Sequence, residues 1–319
     1  MSLLAGLRKR LAAPRIDADL AEAIARVVDQ LEPRLRQIGG YPRRYAAAVG
    51  HAVAYCRALA GQVPGPVTVS RHAFTQDPLV HALFGSAESI VEVLAQNKAV
   101  REWQEAHASE PDVYALMVMR LQERHTLGVD EGAGGIRRDV PQTVVYFSEH
   151  TLTNLATTPE AARELLARQF LAALLARVKD RIDEIRQRKQ HLETERDELQ
   201  AKLRAHGDDA GLREALAGVL HELSEVVTAL DLRHYAEHIE TVFMQPQLHL
   251  HGDPISLSLD AMGIRQIEGV DGRACTLHLS EMVCKDRRRW AVLLVRVGLA
   301  DLPPYRERLA SAERWLGAE

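Results

Sequence analysis

The chain is expected to fold as an α+β protein, predominantly helical. A helical N-terminal region and a small antiparallel β-sheet should form one body carrying a protruding antiparallel coiled-coil hairpin. Three observations predict this. Residues 171 to 203 carry a seam in regular steps of four and three, apolar at every position except Lys189 and Arg196. Short alternating segments bounded by turn residues fill positions 247 to 297, and punctuated helical stripes occupy the first 120 residues. The implied boundaries are 1–158 for the helical region with short strands, 159–245 for the hairpin, and 246–319 for the β region with a C-terminal helix.

The N-terminal elements follow from local signals. Leu3, Leu4, Leu7 and Leu11 share one side of a helix that is expected to dock on the body. Between Asp17 and Ile38, the residues Leu20, Ile24, Val27, Val28, Leu31 and Leu35 form a helical stripe, which "IGGYP" ends. A second helix spans about 45 to 60 and stops at "GQVPGP", and "PVTVS" has the length of a short strand. Asp77 is an N-cap with Pro78 at the first helical position; Ser86 repeats the device with Glu88 or Ser89 in the first turn. Pro111 opens "PDVYALMVMRLQERHTL", where Val113, Leu116, Met117 and Leu121 fall at helix spacing, so a helix is predicted there. The stretch "GVDEGAGGIRRDVPQ" reads as a flexible connection to the strand "QTVVYFS". It lies between a helix and a strand and lacks a Lys-Ser or Lys-Thr, so it does not match a phosphate-binding loop.

From Pro159 the character changes. Leu171, Leu175, Val178, Ile182, Ile185, Lys189, Leu192, Arg196, Leu199 and Leu203 form a heptad seam interrupted by two cations. After "HGDDAG" a second seam runs through Leu212, Leu216, Val219, Leu223, Val226 and Leu230. Two arms of nearly equal length, about 171 to 205 and 211 to 243, fold back on each other as an antiparallel hairpin. At ~1.5 Å per residue each arm extends roughly 50 Å. A hairpin returns the chain to where it left, so the segments on either side of it are expected in one body. Lys189 and Arg196 must meet a carboxylate or reach water, because an unpaired buried charge is costly. Leu220 and Val227, just off the return seam, extend a second apolar stripe that two helices leave exposed. That surplus predicts a partner, another protein or a second copy, and a homodimer through the hairpins.

After the hairpin, "QLHLH", "ISLSLD", "GIRQIE", "ACTLHLSEMV" and "RRWAVLLVRV" are strand-length and separated by turns. Ile255, Leu257 and Leu259 alternate with Ser256 and Ser258, one face buried and one wet. "LPPYRERLASAERWLGA" closes the chain with a helix after two prolines.

Composition narrows the function classes. A chain of 319 residues, 46% hydrophobic and 26% charged, is of ordinary globular type, and a net charge of -4 argues against a general nucleic-acid binder. Only six of the 40 basic residues are Lys, a bias that fits a GC-rich bacterial genome. Cys56, Cys275 and Cys284 contain no CxxC pair and build neither a disulfide framework nor a thiolate zinc knuckle. A cytoplasmic location is therefore expected, and no apolar run approaches the ~18 residues of a membrane span.

Two constellations can carry chemistry. His234 and His238 stand four apart on the return arm, and His249 and His251 stand two apart in a strand. Two imidazole pairs can converge on zinc, with Glu237, Glu240 or Asp253 as carboxylate ligand or general base, which is the chemistry of a metal-dependent hydrolase. Against it, the leucines of "QLHLH" leave the histidines on the polar side of an amphipathic strand. Lys285, Arg287, Arg288 and Arg289 gather at a hairpin turn beside Trp290, a pattern suited to a phosphate ligand, nucleic acid or an acidic partner. No G-x-S-x-G elbow or other complete catalytic motif is present. The leading expectation is an interaction or scaffold protein of the bacterial cytoplasm. A metal-dependent hydrolase and a nucleic-acid or phosphate-ligand binding module are the alternatives, and no cofactor is expected beyond zinc in the former.

Overall fold

The computed structural model describes residues 16–107, 109–132, 135–207, 209–260, 262–266, 275–283, 289–299 and 302. In chain order the helices and strands are α1 (Ala18–Leu31), α2 (Arg43–Gly61), β1 (Val67–Val69), α3 (Arg71–Gln76), α4 (Pro78–Leu83), α5 (Ala87–Gln96), α6 (Lys98–Ala106), β2 (Asp112–Gly132), β3 (Gly135–Ala156), α7 (Pro159–His206), α8 (Ala210–Ala229), α9 (Tyr235–Phe243), β4 (Asp253–Leu259), β5 (Cys275–Val283) and β6 (Arg289–Gly298). The fold is α+β with an open, mainly antiparallel sheet. The chain forms two compact units. One comprises the residues up to Cys56 with Arg168–Leu250, the other Arg57–Ala167 with the residues from His251 onward.

The first unit is helical. Asp17 caps α1 by accepting from Leu20 N at 2.8 Å, and Ile24, Val27 and Val28 bury the predicted stripe. On α7, Leu171, Leu174, Leu175, Val178 and Ile182 are buried. Farther along, Leu192 is the last fully buried side chain among the described residues of that helix. The helix reverses after Gly207, and Asp209 caps α8 by accepting from Gly211 N and Leu212 N. Val219 is buried, Leu212, Leu216, Leu223 and Val226 are half-buried, and an ion pair between Arg188 and Glu222 joins the two helices. This is the antiparallel hairpin.

Its return arm does not run unbroken to 243 as expected. The Asp231 carboxylate accepts from Arg233 N at 2.9 Å and pairs with the Arg233 guanidinium at 2.7 Å, which favours a 3-10 turn at Leu232–His234 over continued α-helix. The same guanidinium holds the Asp231 carboxyl at about 2, well below the usual range. Beyond the turn, α9 buries Tyr235, Ile239, Val242 and Phe243. His51 Nδ1–H donates to the Phe243 carbonyl at 2.9 Å, and the Tyr55 hydroxyl donates to the Leu250 carbonyl at 2.6 Å.

The second unit holds the sheet, in the order β3-β2-β6-β5-β4. β6 is the hub. It pairs along one side with β2, from Asp112↔Gly298 to Arg120↔Trp290, and shares its other side between β5 and the parallel strand β1. As expected, "TVVYFS" belongs to the same sheet as the strands after the hairpin, within β3. The core is built from Val113, Ala115, Met117, Met119 and Leu121 of β2 together with residues of the other strands, among them Leu277 and Leu293. At about 25 cal/mol per Å² of apolar surface, each large side chain of this kind contributes roughly 1.5–3 kcal/mol.

Three sequence-based expectations are corrected here. The segment from Pro111 is a strand and not a helix, because its buried residues recur at every second position from 113 to 121. Leu116, on the other face, is buried as well, and its spacing from Val113 and Met117 imitates a helix. The glycine-rich stretch is not a loose connection. β2 and β3 stay paired out to Gly132↔Gly135 as a long ribbon, with three register shifts. At each shift β3 carries an extra residue and a non-glycine residue at positive φ: Asn154, Glu149 and Asp139 (55°, 53° and 57°). Bulges of this kind bend a strand and increase its twist.

The third correction concerns "QLHLH", which is not a strand. Pro246 starts a 3-10 turn, and the His249 and Leu250 N–H groups both donate to the Pro246 carbonyl, at 3.0 and 2.9 Å. Leu248 is 68% exposed, so the alternation has no buried face, and β4 begins only at Asp253.

Of "GIRQIE", Ile264 and Arg265 form single bridges to Val144 and Leu259, which ties the two outer strands of the sheet, β3 and β4, to one short segment. The expected helices at the start of the chain and after Pro303 lie outside the described residues. No helix among the described residues is long and apolar enough to cross a membrane.

Candidate functional site

The hairpin carries an apolar face that its own two helices do not cover. Leu220 and Val227 of α8 are 45% and 47% exposed. They lie seven positions apart, on one side of the helix. Ala217 and Ser224, also exposed, fall between and beside them at three- and four-residue steps. The side is therefore apolar or small over three turns and flanks the seam. The two seam cations of α7 are not buried without partners. Lys189 pairs with Glu193 at 3.2 Å and Arg196 with Asp197 at 2.7 Å, each about one-third exposed. A neighbouring helix can approach the stripe without stranding either charge.

The four histidines occupy different settings. His234 closes the 3-10 turn, its Nδ1 3.0 Å from Glu237 Oε1. His238 is buried on α9; its Nε2–H donates to the Ala229 carbonyl at 2.8 Å, and its ring meets Tyr235 edge-on. His249 is exposed at the end of the Pro246 turn, and His251 is exposed in the second unit, ahead of β4. The expected face-sharing of His249 and His251 fails with the strand that was to provide it. Among the described residues no group of three or more His, Cys, Asp or Glu side chains is placed to hold a metal ion.

Of the basic turn, Lys285, Arg287 and Arg288 lie outside the described residues. Arg289 opens β6 and donates to Glu281 and to Glu123, the latter at 2.9 Å, while Arg265 stands 3.5 Å from Glu123. Its guanidinium is held by Glu281 first and Glu123 second, and both raise its pKa. It bridges strands rather than facing an anion.

The second unit also holds a groove of 790 Å³ that no sequence motif announces. Three segments form most of it, and Cys275 of β5 completes it. The α3–α4 corner supplies Phe74, Asp77 and His81; β3 supplies Val144 to Phe147; the loop after β4 supplies Asp260, Met262 and Gly263. Asp77 is the predicted cap of α4, accepting from Leu79 N at 2.9 Å. Asp260 holds its loop by accepting from Met262 N, Ile264 N and Gln266 Nε2 at 2.8, 2.9 and 3.2 Å. Gly263 adopts φ +75°, and a Cβ there would sit 2.9 Å from the Val145 carbonyl. Only glycine lets this loop lie against β3, where Val145 N–H donates to the Gly263 carbonyl at 2.8 Å.

Cys275 lines the groove, and burial first, then the Asp77 charge, raises its thiol pKa. Burial alone pushes the Cys56 thiol up to about 12. Neither cysteine is tuned as a thiolate nucleophile. The three main segments of the groove are separated by about 60 and about 110 residues, so no local pattern joins them; the one local signal is the Asp77 cap. Comparison with protein-family models, curated proteins and solved structures finds no match to this chain.

Proposed function

We propose that this chain is a non-catalytic interaction protein of the bacterial cytoplasm, whose helical hairpin associates with a second copy to form a homodimer. The observation that carries the reading is the exposure of Leu220 and Val227 on one side of α8. Removing large aliphatic side chains from water contributes roughly 1.5–3 kcal/mol each when burial is complete. In a twofold pairing each such residue is used twice. Ala217 and Ser224 keep the stripe low, which favours close approach of a second helix. The free thiols Cys56 and Cys275 fit a reducing compartment.

The test uses two pools of the intact chain, one labelled at the N-terminus with a donor fluorophore and one with an acceptor. Mixing at micromolar concentration is expected to produce energy transfer that Leu220→Glu with Val227→Glu abolishes while helical content is retained. Absence of transfer in the unmodified chain at tens of micromolar would contradict self-association through this face.

A further inference from the structure

We propose that the groove between the α3–α4 corner, β3 and the loop after β4 binds a small apolar molecule carrying a protonated amine. This site lies within the second unit and does not depend on the hairpin reading. Its volume, 790 Å³, falls in the range of ligand pockets, roughly 300–1,000 Å³. It sits where, among the described residues, the outer strands β3 and β4 do not pair directly and are linked through the short segment 263–266, by bridges at Ile264 and Arg265 and by hydrogen bonds of Gly263 and Gln266. An incompletely closed sheet leaves core side chains accessible at such a seam.

The walls are apolar and aromatic, with Phe74, Leu83, Phe147 and Leu259 among them. Two further side chains along the groove leave large apolar surface in water, Met262 at 74% exposed and Tyr146 at 43%. The Tyr146 hydroxyl already donates to Gln122 Oε1 at 2.6 Å, so the ring is held in place. Methionine adapts its shape to varied ligands. The Phe74 ring lies against His81, tilted by 32° with centroids 4.7 Å apart, and adds an aromatic surface that favours a cation.

Charge selects the ligand class. Among the described lining residues the carboxylates are Asp77 and Asp260, and no lysine or arginine is present. Both carboxylates are fixed by the hydrogen bonds that shape their loops, so their negative charge stays in place whether or not a ligand is bound. Asp77 also bears on Cys275 within the groove. A carboxylate or phosphate ligand would meet like charge with no lysine or arginine among the described lining residues to pair with, whereas an ammonium gains attraction from both carboxylates.

Calorimetric titration of the intact chain with 1-naphthylmethylamine and with 1-naphthylacetate, which share one ring system, tests the assignment. The amine is expected to bind about tenfold or more tightly than the carboxylate, an affinity ratio well outside measurement error. Asp77→Asn keeps a good helix cap while removing the charge, and should narrow the ratio. Met262→Lys changes an exposed residue, leaves the fold intact, and should bring the ratio to unity or reverse it. Equal affinities in the parent, no binding of the amine at millimolar concentration, or a ratio unaltered by Met262→Lys would each overturn the proposal. If Asp77→Asn lowers the melting temperature, Met262→Lys decides alone.

Discussion

His150 shows how a single side chain acquires its properties from long-range packing. It lies on β3 next to the bulge at Glu149, and its ring stacks on Phe84 at 4.7 Å and 15°. Its Nε2–H donates to the Leu83 carbonyl at 2.8 Å. Burial depresses its pKa below the ordinary 6.5, and the hydrogen bond to Leu83 opposes that only in part. A depressed histidine binds protons more readily in the unfolded chain. Its contribution to stability is thus complete above 6.5 and is lost as pH falls below that value. The melting temperature of the parent should accordingly fall more between pH 7 and pH 5 than that of His150→Gln, which can still donate to Leu83. Parallel pH profiles for the two proteins would contradict this account. The sequence places Glu149 and His150 side by side on a strand, with opposite faces. It does not reveal that Glu149 sits at positive φ and pairs with Arg120 at 2.8 Å, because a bulge depends on the partner strand. Helix caps are the opposite case. Asp77 and Ser86 accept from N–H groups two and three residues away, a contact wholly contained in the local sequence.

For whole elements, readability follows the uniqueness of the apolar period. The hairpin seam repeats through so many turns that no other element accommodates it, and α7 and α8 follow it closely. β2 resembles a helix in sequence because burial on both faces near Leu116 blurs a period of two into one of three and four. Residues 247–251 imitate a strand in sequence, but their alternation has no buried face and Pro246 sets a turn. The interruption of the return arm at Asp231 depends on a side chain competing for backbone N–H groups, and apolar spacing carries no trace of that competition. Along the hairpin, burial diminishes toward the turn: Leu192 is buried, while Leu203 is only half-buried. Leu192→Ala should therefore cost about 2–5 kcal/mol in urea unfolding and Leu203→Ala distinctly less. Equal losses would show that the end of the hairpin packs as tightly as its base.

In the whole molecule, the chain interleaves two units. Residues up to Cys56 group with the hairpin, and the strands on either side of the hairpin group with each other. The second grouping is what the geometry of a returning hairpin implies. The first had no signal, because an amphipathic helix records that it has an apolar face but not which element covers it. The same holds for the groove, whose walls meet only once the sheet has formed. The stripe on α8 is the exception, since its surplus over the hairpin seam can be counted from the sequence and its two main residues are exposed in the fold. Sedimentation equilibrium of the unmodified chain, from about 0.1 to 50 μM, tests the central claim most directly, across the span in which interfaces of modest area dissociate. The account predicts a mass rising with concentration to twice the 35.5 kDa of the chain, and a constant single-chain mass for Leu220→Glu with Val227→Glu. A single-chain mass for the unmodified protein over the whole range, or a dimer that persists in the double variant, would contradict it.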